Sequence, residues 1–275
     1  LHLCDRRQRQ MCIRDRRTTD DLPEVIYARE YDAAISPNGN IPVHAFNLIS
    51  PTFFANSSTG NKYSLWVNVY GVSERYLNVY GEKDLRAQMN QFFHRTYTHP
   101  VDGTTLDMKM LCNWYWYDET AILETGKGTK DWNFYRYAET LLSAAEAIAQ
   151  SSGVNAEAAG YLAQVKARAN MEGKDVSTIA SELQRLGKQA FIEECWKERL
   201  REFPLEMKIW DDCVRTGKFP QISATNKGEV QFVDLIGAKN GSGATFKATD
   251  LYWPIPVNEI QRNPNLTQNE GYSAK

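Results

Sequence analysis

The stretch Phe134-Tyr135-Arg136-Tyr137-Ala138-Glu139-Thr140-Leu141-Leu142-Ser143-Ala144-Ala145-Glu146-Ala147-Ile148 decides the fold of this chain of 275 residues. Phe134, Tyr137, Ala138, Leu141, Leu142, Ala145 and Ile148 recur at i, i+3, i+4, i+7, i+8, i+11 and i+14, one apolar stripe on a helix of about 18 residues. Residues 151–154, with Gly153, read as a short turn. Asn155 then caps a second helix running through Arg168, with Tyr161, Leu162 and Val165 inward. So short a turn makes the two helices antiparallel neighbours. A brief helix is predicted over 178–186 and a longer one over 188–203, which Pro204 interrupts because proline lacks an N–H donor and clashes with the preceding turn. A last helix over 206–215 stops at Gly217 and Pro220, and the tail beyond is loop-rich. The implied fold class is mainly α: a tetratricopeptide-like scaffold of helix pairs with long irregular loop regions and a few short strands. No repeat of about 34 residues is visible in support of a regular array.

Upstream the pattern is different. From 21 to about 130 the chain is punctuated by Pro23, Pro37, Pro42 and Pro51 and by Gly39, Gly60, Gly71 and Gly81, the signature of loops and short elements. Tyr63, Leu65, Trp66, Val69 and Tyr70 fall at near-helical spacing, a second short helix follows over 73–79, and 108–117 is apolar and aromatic enough for a strand closed by Asp118. Three regions result. Residues 1–20 read as a non-native segment, 21–130 as an irregular, aromatic-rich, ligand-facing region, and 131–275 as a helical region with a loop-rich tail. The first segment carries six arginines against Asp5, Asp15 and Asp20 with no apolar period, and resembles a translated adapter rather than part of the fold. Cys4 does not read as a lipobox cysteine, since Leu3 stands where a small residue is needed and no apolar run precedes it.

Composition excludes several function classes. The formal net charge is −2, and the body beyond residue 20 is mildly acidic, which offers no footprint for phosphate backbones; nucleic acid is not an expected partner. No run of about 18 apolar residues occurs. Cys112, Cys195 and Cys213 lack metal-ligand or CxxC spacing and read as buried structural thiols. His2, His44, His94 and His99 form no HExxH, and no P-loop, GxSxG or Rossmann fingerprint is present, so neither metal nor cofactor is expected. Aromatic residues, at 12%, are abundant outside the helical segments.

Several segments match one family in order and spacing. Arg136-Tyr137-Ala138-Glu139-Thr140-Leu141-Leu142 followed by Ala145-Glu146-Ala147 resembles the RYAExLLxxAEA helix of SusD/RagB proteins, and Lys166-Ala167-Arg168-Ala169 resembles the end of the family's next helix. Glu198-Arg199, Glu202-Phe203 and Glu206 resemble ERxxEFxxE, and Trp210, Asp212 and Arg215 resemble WxDxxR, with Ile209 standing where many members have arginine. Trp253-Pro254-Ile255-Pro256, Glu259-Ile260, Asn263-Pro264-Asn265-Leu266-Thr267-Gln268-Asn269 and Gly271-Tyr272 resemble the family's closing motif, and Tyr80 with Asp84-Leu85-Arg86 is similar to its YxxxDxR. The resemblance implies the carboxy-terminal part of a longer outer-membrane lipoprotein, surface-exposed, anchored through a lipid upstream of this sequence, that binds oligosaccharides or polysaccharides, or in some members peptides. Its implied partner is a TonB-dependent, SusC-like transporter.

The residues themselves separate structure from recognition. Arg136, Glu139, Glu146, Arg168, Glu198, Arg199, Glu202, Glu206, Asp212 and Arg215 sit on or beside packed faces and are expected to form inter-helix ion pairs, because a charge left single there costs several kcal/mol. Glycoside hydrolysis would need two carboxylates across a cleft. Of Asp211/Asp212, Glu193/Glu194 and Asp102/Asp107, the adjacent pairs point about 100° apart on a helix and cannot flank one bond, so no catalytic residue is expected. Sugar rings present C–H faces that stack on flat aromatic systems and hydroxyls that want amides and carboxylates. Trp66 with Tyr63 and Tyr70, and Asn113 with Trp114 and Trp116, offer that mixture and are the expected ligand contacts. Two other readings stand beside this one: a helical carbohydrate-active enzyme and a pure protein-interaction scaffold.

Overall fold

The computed structural model describes residues 23–32, 34–35, 72–98, 103–115, 130–204 and 206–273. The chain divides into two compact units, one comprising 1–205 with 222–229, the other 206–221 with 230–275. Tyr63, Trp66, Tyr70 and Trp116, together with the segment 1–20, lie outside the described residues.

The first unit is built on helices α1 (Tyr137–Ser152), α2 (Ala156–Ala169), α3 (Val176–Leu183) and α4 (Lys188–Glu202). Helix α1 packs against both α2 and α4, and α3 closes on α2. The facing positions are largely alanine: Ala138, Ala145 and Ala149 on α1 and Ala158, Ala159 and Ala163 on α2 are buried, so the backbones approach closely. Leu142, Leu162, Ile179 and Phe191 fill the rest of this core. The caps follow the sequence. Gly153 ends α1, the Asn155 carboxamide oxygen accepts from Ala158 N at 2.9 Å, and the Asp175 carboxylate accepts from Thr178 N at 2.8 Å. That aspartate starts α3 two residues before the predicted position.

The deciding stretch begins differently from its periodicity. Residues Trp132–Arg136 form strand β4, antiparallel to β1 (Val25–Arg29) with Val25 opposite Arg136 and Tyr27 opposite Tyr135. Arg136 stays extended at φ −118°, so α1 starts three residues later than the stripe and runs four residues past it. Phe134 and Tyr137, the stripe's first two members, are consequently 40% and 45% exposed rather than core. The predicted strand over 108–117 is also displaced. Strand β3 spans Thr105–Asn113 and pairs with β2 (Phe93–Thr98), while Trp114 has left the ladder and donates its N–H to Phe92 O at 2.9 Å. Alternation along a strand therefore does not decide which way Trp114 faces. The short helix expected over 73–79 is a 3-10 segment, Glu74–Val79.

In the second unit, α5 (Ile209–Thr216) ends at Gly217, whose φ of 66° favours glycine, and a hairpin of β5 (Lys218–Ile222) and β6 (Val230–Asp234) follows. Pro220, expected only to stop a helix, sits in this two-stranded sheet, where every strand is an edge and a missing donor is tolerated. A short helix α6 (Val257–Arg262) interrupts the loop-rich tail. The closing motif ties itself together. Gln268 donates to Ile255 O at 2.9 Å and accepts from Ile255 N at 2.8 Å, Asn269 donates to Trp253 O at 2.7 Å, and the Tyr272 hydroxyl donates to Tyr252 O at 2.9 Å. Gly271 has no alternative, since a Cβ there would stand 2.1 Å from the Thr249 methyl.

Candidate functional site

The chemistry of the first unit concentrates at the carboxy-terminal end of α4. The last carbonyls of a helix have no partner within it. Here Tyr76 donates to Leu200 O at 2.6 Å, Tyr80 to Arg201 O at 3.0 Å and the Arg136 guanidinium to Glu202 O at 3.2 Å. Three carbonyls are thus satisfied by side chains from distant segments, two of them on or beside the 3-10 segment and one at the start of α1.

Around this end lies a buried ionic network. Arg86 reaches Glu198 at 2.8 Å, Glu202 at 3.0 Å and Asp84 at 2.7 Å. Arg136 and Arg168 share Glu202, at 3.1 and 2.9 Å, and share Glu24, at 3.1 and 3.3 Å. Arg201 meets Glu194 at 2.9 Å and Glu198 at 3.3 Å, and Lys166 pairs with Glu194. Asp84, Glu24, Glu194, Glu198 and Glu202 therefore balance Arg86, Arg136, Arg168, Arg201 and Lys166. Beside them Arg199 contacts Glu139 at 3.2 Å and lies over the Phe203 ring, as Arg136 does. Burial penalises the charges of Asp84, Arg86, Glu194 and Arg201, and their partners outweigh it. Burial raises the Glu194 carboxyl, but Lys166 and Arg201 hold it down at about 2. Asp84 is likewise held below the carboxylate range by Arg86 against its own desolvation.

Of the charged residues singled out in the sequence, Arg136, Arg168, Glu198 and Glu202 meet in this network, and Arg199 and Glu139 meet beside it. Glu146 is buried and accepts from Gln150 at 3.0 Å. In the second unit Glu206 is buried, and Asp212 and Arg215 pair at 3.2 Å on an exposed helix face. Sequence reasoning missed Glu24, Lys166, Glu194 and Arg201 as members. It quoted Asp84 and Arg86 in the YxxxDxR segment without a role, and that spacing was the available signal: Asp84 binds Arg86 from two residues away while Arg86 reaches α4.

Of the expected ligand contacts, Asn113 and Trp114 lie among the described residues. Trp114 is half-buried and lies flat on His94, ring centroids 3.9 Å apart and planes 5° apart, with Tyr97 at 5.9 Å. Burial pushes the His94 imidazole down to about 4, so it is neutral at physiological pH. Asn113 ends β3, opposite Phe93 in register. Burial also pushes Cys112 up to about 12 and Cys213 up to about 11, so neither is a thiolate at neutral pH. Among the described residues no group of three or more His, Cys, Asp or Glu side chains is arranged to hold a metal, and no helix is long and apolar enough to cross a membrane.

Acidification tests these assignments. A histidine whose folded pKa is depressed costs stability as pH falls from its unfolded value, and the His94 contribution is therefore expected to fade between pH 6.5 and about 4. A carboxylate with depressed folded pKa contributes stability above its unfolded value and loses it below. The Glu194 contribution is expected to persist to about pH 4.5 and disappear towards pH 2. Thermal melts from pH 7 to pH 2 should show both phases. A His94→Gln chain that still loses stability between pH 6.5 and 4 to the same extent would remove His94 from the account.

The first unit is thus a mainly α scaffold of packed helices clamped by a buried ionic network. The SusD family model matches residues 55–272, and the chain belongs to this family. The starch-binding protein SusD of Bacteroides thetaiotaomicron is 36% identical over 138 residues, 50% of this chain and 21% of that protein. A solved SusD superfamily protein from Parabacteroides distasonis superposes with a TM-score of 0.72 at 28% identity, over 90% of this chain and 50% of that one. Surface glycan-binding protein A from Bacteroides thetaiotaomicron, in complex with laminarihexaose, shares the fold with a TM-score of 0.57 at 19% identity, over 90% of this chain and 52% of that one. The chain spans about half the length of these solved structures.

Proposed function

We propose that this protein binds oligosaccharides or polysaccharides at the cell surface without cleaving them and passes them to a TonB-dependent, SusC-like transporter, held to the outer membrane by a lipid anchor upstream of the sequence described. Kinship carries this reading: the family match over 55–272 and the identity to a starch-binding relative. The carboxylate inventory supports the absence of hydrolysis. A general acid needs a raised pKa and room for substrate, whereas Glu194, Glu198 and Glu202 are each shared between buried cations, and Asp212 pairs with Arg215.

The ligand contacts of this reading are Trp66, Tyr63 and Tyr70 with Asn113, Trp114 and Trp116. Trp66 is the proposed anchor, because Trp114 already spends one ring face on His94. Calorimetric titration with maltohexaose and laminarihexaose is expected to show saturable binding with no release of reducing ends. Trp66→Ala should cost on the order of 1–3 kcal/mol of affinity, roughly a tenfold to hundredfold weaker Kd, by analogy with stacking on other planar ligands. A Trp66→Ala chain that melts far lower and loses binding only in proportion to unfolding would make Trp66 core. New reducing ends would replace the reading with an enzyme.

A further inference from the structure

We propose that the groove at the open end of the α1–α2 hairpin binds one neutral sugar ring of the same oligosaccharide, as a second subsite apart from the aromatic loops. This rests on the oligosaccharide-binding reading above.

The hairpin's antiparallel course brings the first turn of α1 beside the last turn of α2, and the cap of α3 closes the third side. Between them is a cavity of about 380 Å³, within the range of about 300–1,000 Å³ typical of small-molecule sites. Its floor is apolar, formed by Ala138, Leu141 and Val165. Tyr137 stands at the rim, 45% exposed, one turn before Leu141. Gln164 and Arg168 line the opposite wall, four residues apart and so on one face of α2.

Glu24 completes the site. Its side chain is only 12% exposed, and one oxygen, Oε1, takes every partner: Arg136, Arg168 and Ala138 N. Its backbone carbonyl accepts from Tyr137 N at 2.6 Å, which fixes the turn. The second carboxylate oxygen has no hydrogen-bond partner among the described residues, and neither the Gln164 amide nor the Tyr137 hydroxyl has one. An acceptor on a clamped carboxylate, an amide that both donates and accepts, a flat phenol and an apolar floor converge on one space. A pyranose presents the complement: hydroxyls at its edge and C–H groups on its face.

The charges decide between a neutral ring and an anion. Arg168 is matched by Glu24 and Glu202, Lys174 at the cavity edge by Glu172 and Glu182, and Asp175 is occupied in capping α3. Among the described residues no surplus cation lines the cavity for a phosphate or uronate, and the free oxygen of Glu24 repels either.

The test uses the full chain with maltohexaose, laminarihexaose and a hexamer of galacturonate as probes, read by calorimetry and by the side-chain amide resonance of Gln164. The Gln164 resonance is expected to shift and saturate with a neutral hexaose and to stay still with galacturonate. Tyr137→Ala should weaken the neutral hexaose about tenfold, and Gln164→Ala should weaken it too, both with unchanged melting temperature, since both side chains lie at the surface. Hexaose binding that leaves the Gln164 resonance in place and is indifferent to both variants would overturn this subsite while leaving the oligosaccharide-binding reading intact. Absence of binding by the unaltered chain to either neutral probe would overturn both. A resonance shift with galacturonate alone would overturn the neutral-ring assignment.

Discussion

Glu202→Ala is expected to destabilise the first unit by about 3–5 kcal/mol, the range seen when one partner of a buried ion pair is removed. Glu202 is 6% exposed and touches Arg86, Arg136 and Arg168 at 3.0, 3.1 and 2.9 Å. Its removal leaves three guanidinium groups in a water-poor site with two carboxylate oxygens fewer, one of them shared by Arg136 and Arg168. Arg86 keeps Asp84 and Glu198, Arg136 keeps Glu24 Oε1 and the Glu202 carbonyl, and Arg168 keeps Glu24 Oε1. The loss thus exceeds that of a surface pair, which is worth only about 0–1 kcal/mol. Glu202→Gln keeps the shape and one acceptor oxygen and should recover part of the loss. Urea titration of the three chains measures it; a Glu202→Ala midpoint within error of the unaltered chain would show that water enters the network and screens it.

Phe191→Ala is expected to cost a similar amount, about 3–5 kcal/mol, for a different reason. The ring is fully buried in the first turn of α4, in the cluster with Leu142, Leu162 and Ile179. Truncation removes the transfer free energy of the ring and leaves a hole. Relaxation is limited, because the neighbouring helices already meet through alanine, and backbones in contact cannot close further. The denaturant dependence of the unfolding free energy should be unchanged while the midpoint falls. A loss below about 1.5 kcal/mol, the level of a volume-conserving swap, would mean that the α1–α4 packing is plastic.

Much of this fold was legible because local rules and tertiary packing agree. The apolar stripe placed α1, the short turn over 151–154 made α2 its antiparallel neighbour, Asn155 marked the cap of α2, and Pro204 ended α4. Where they disagreed the prediction shifted. Trp132–Arg136 carries a helical period into its neighbours, yet a ladder partner 103 or more residues upstream at β1 draws it into a strand. The hairpin of β5 and β6 was hidden by Pro220, which reads as a stop only if the strand is internal. The site was legible in its residue types and not in its partners. Glu198, Glu202, Arg136 and Arg168 announced charged groups on packed faces, but Glu24 and Arg86 join them from more than a hundred residues away, a distance at which spacing carries no information.

The side-chain caps on α4 also bear on the order of folding and the rate of unfolding. Tyr76 meets Leu200 across 124 residues, Tyr80 meets Arg201 across 121, and Arg86 meets Glu202 across 116. Each contact closes a long loop, whereas the α1–α2 and α2–α3 contacts are local and close at small entropic expense. The hairpin helices are therefore expected to nucleate early, with the last turn of α4 frayed until the upstream segment docks. Interactions formed after the transition state slow unfolding without speeding folding. The network is thus a latch on the finished molecule: it lengthens the native lifetime, which is the quantity that matters wherever a protein meets proteases and has no chaperone to refold it.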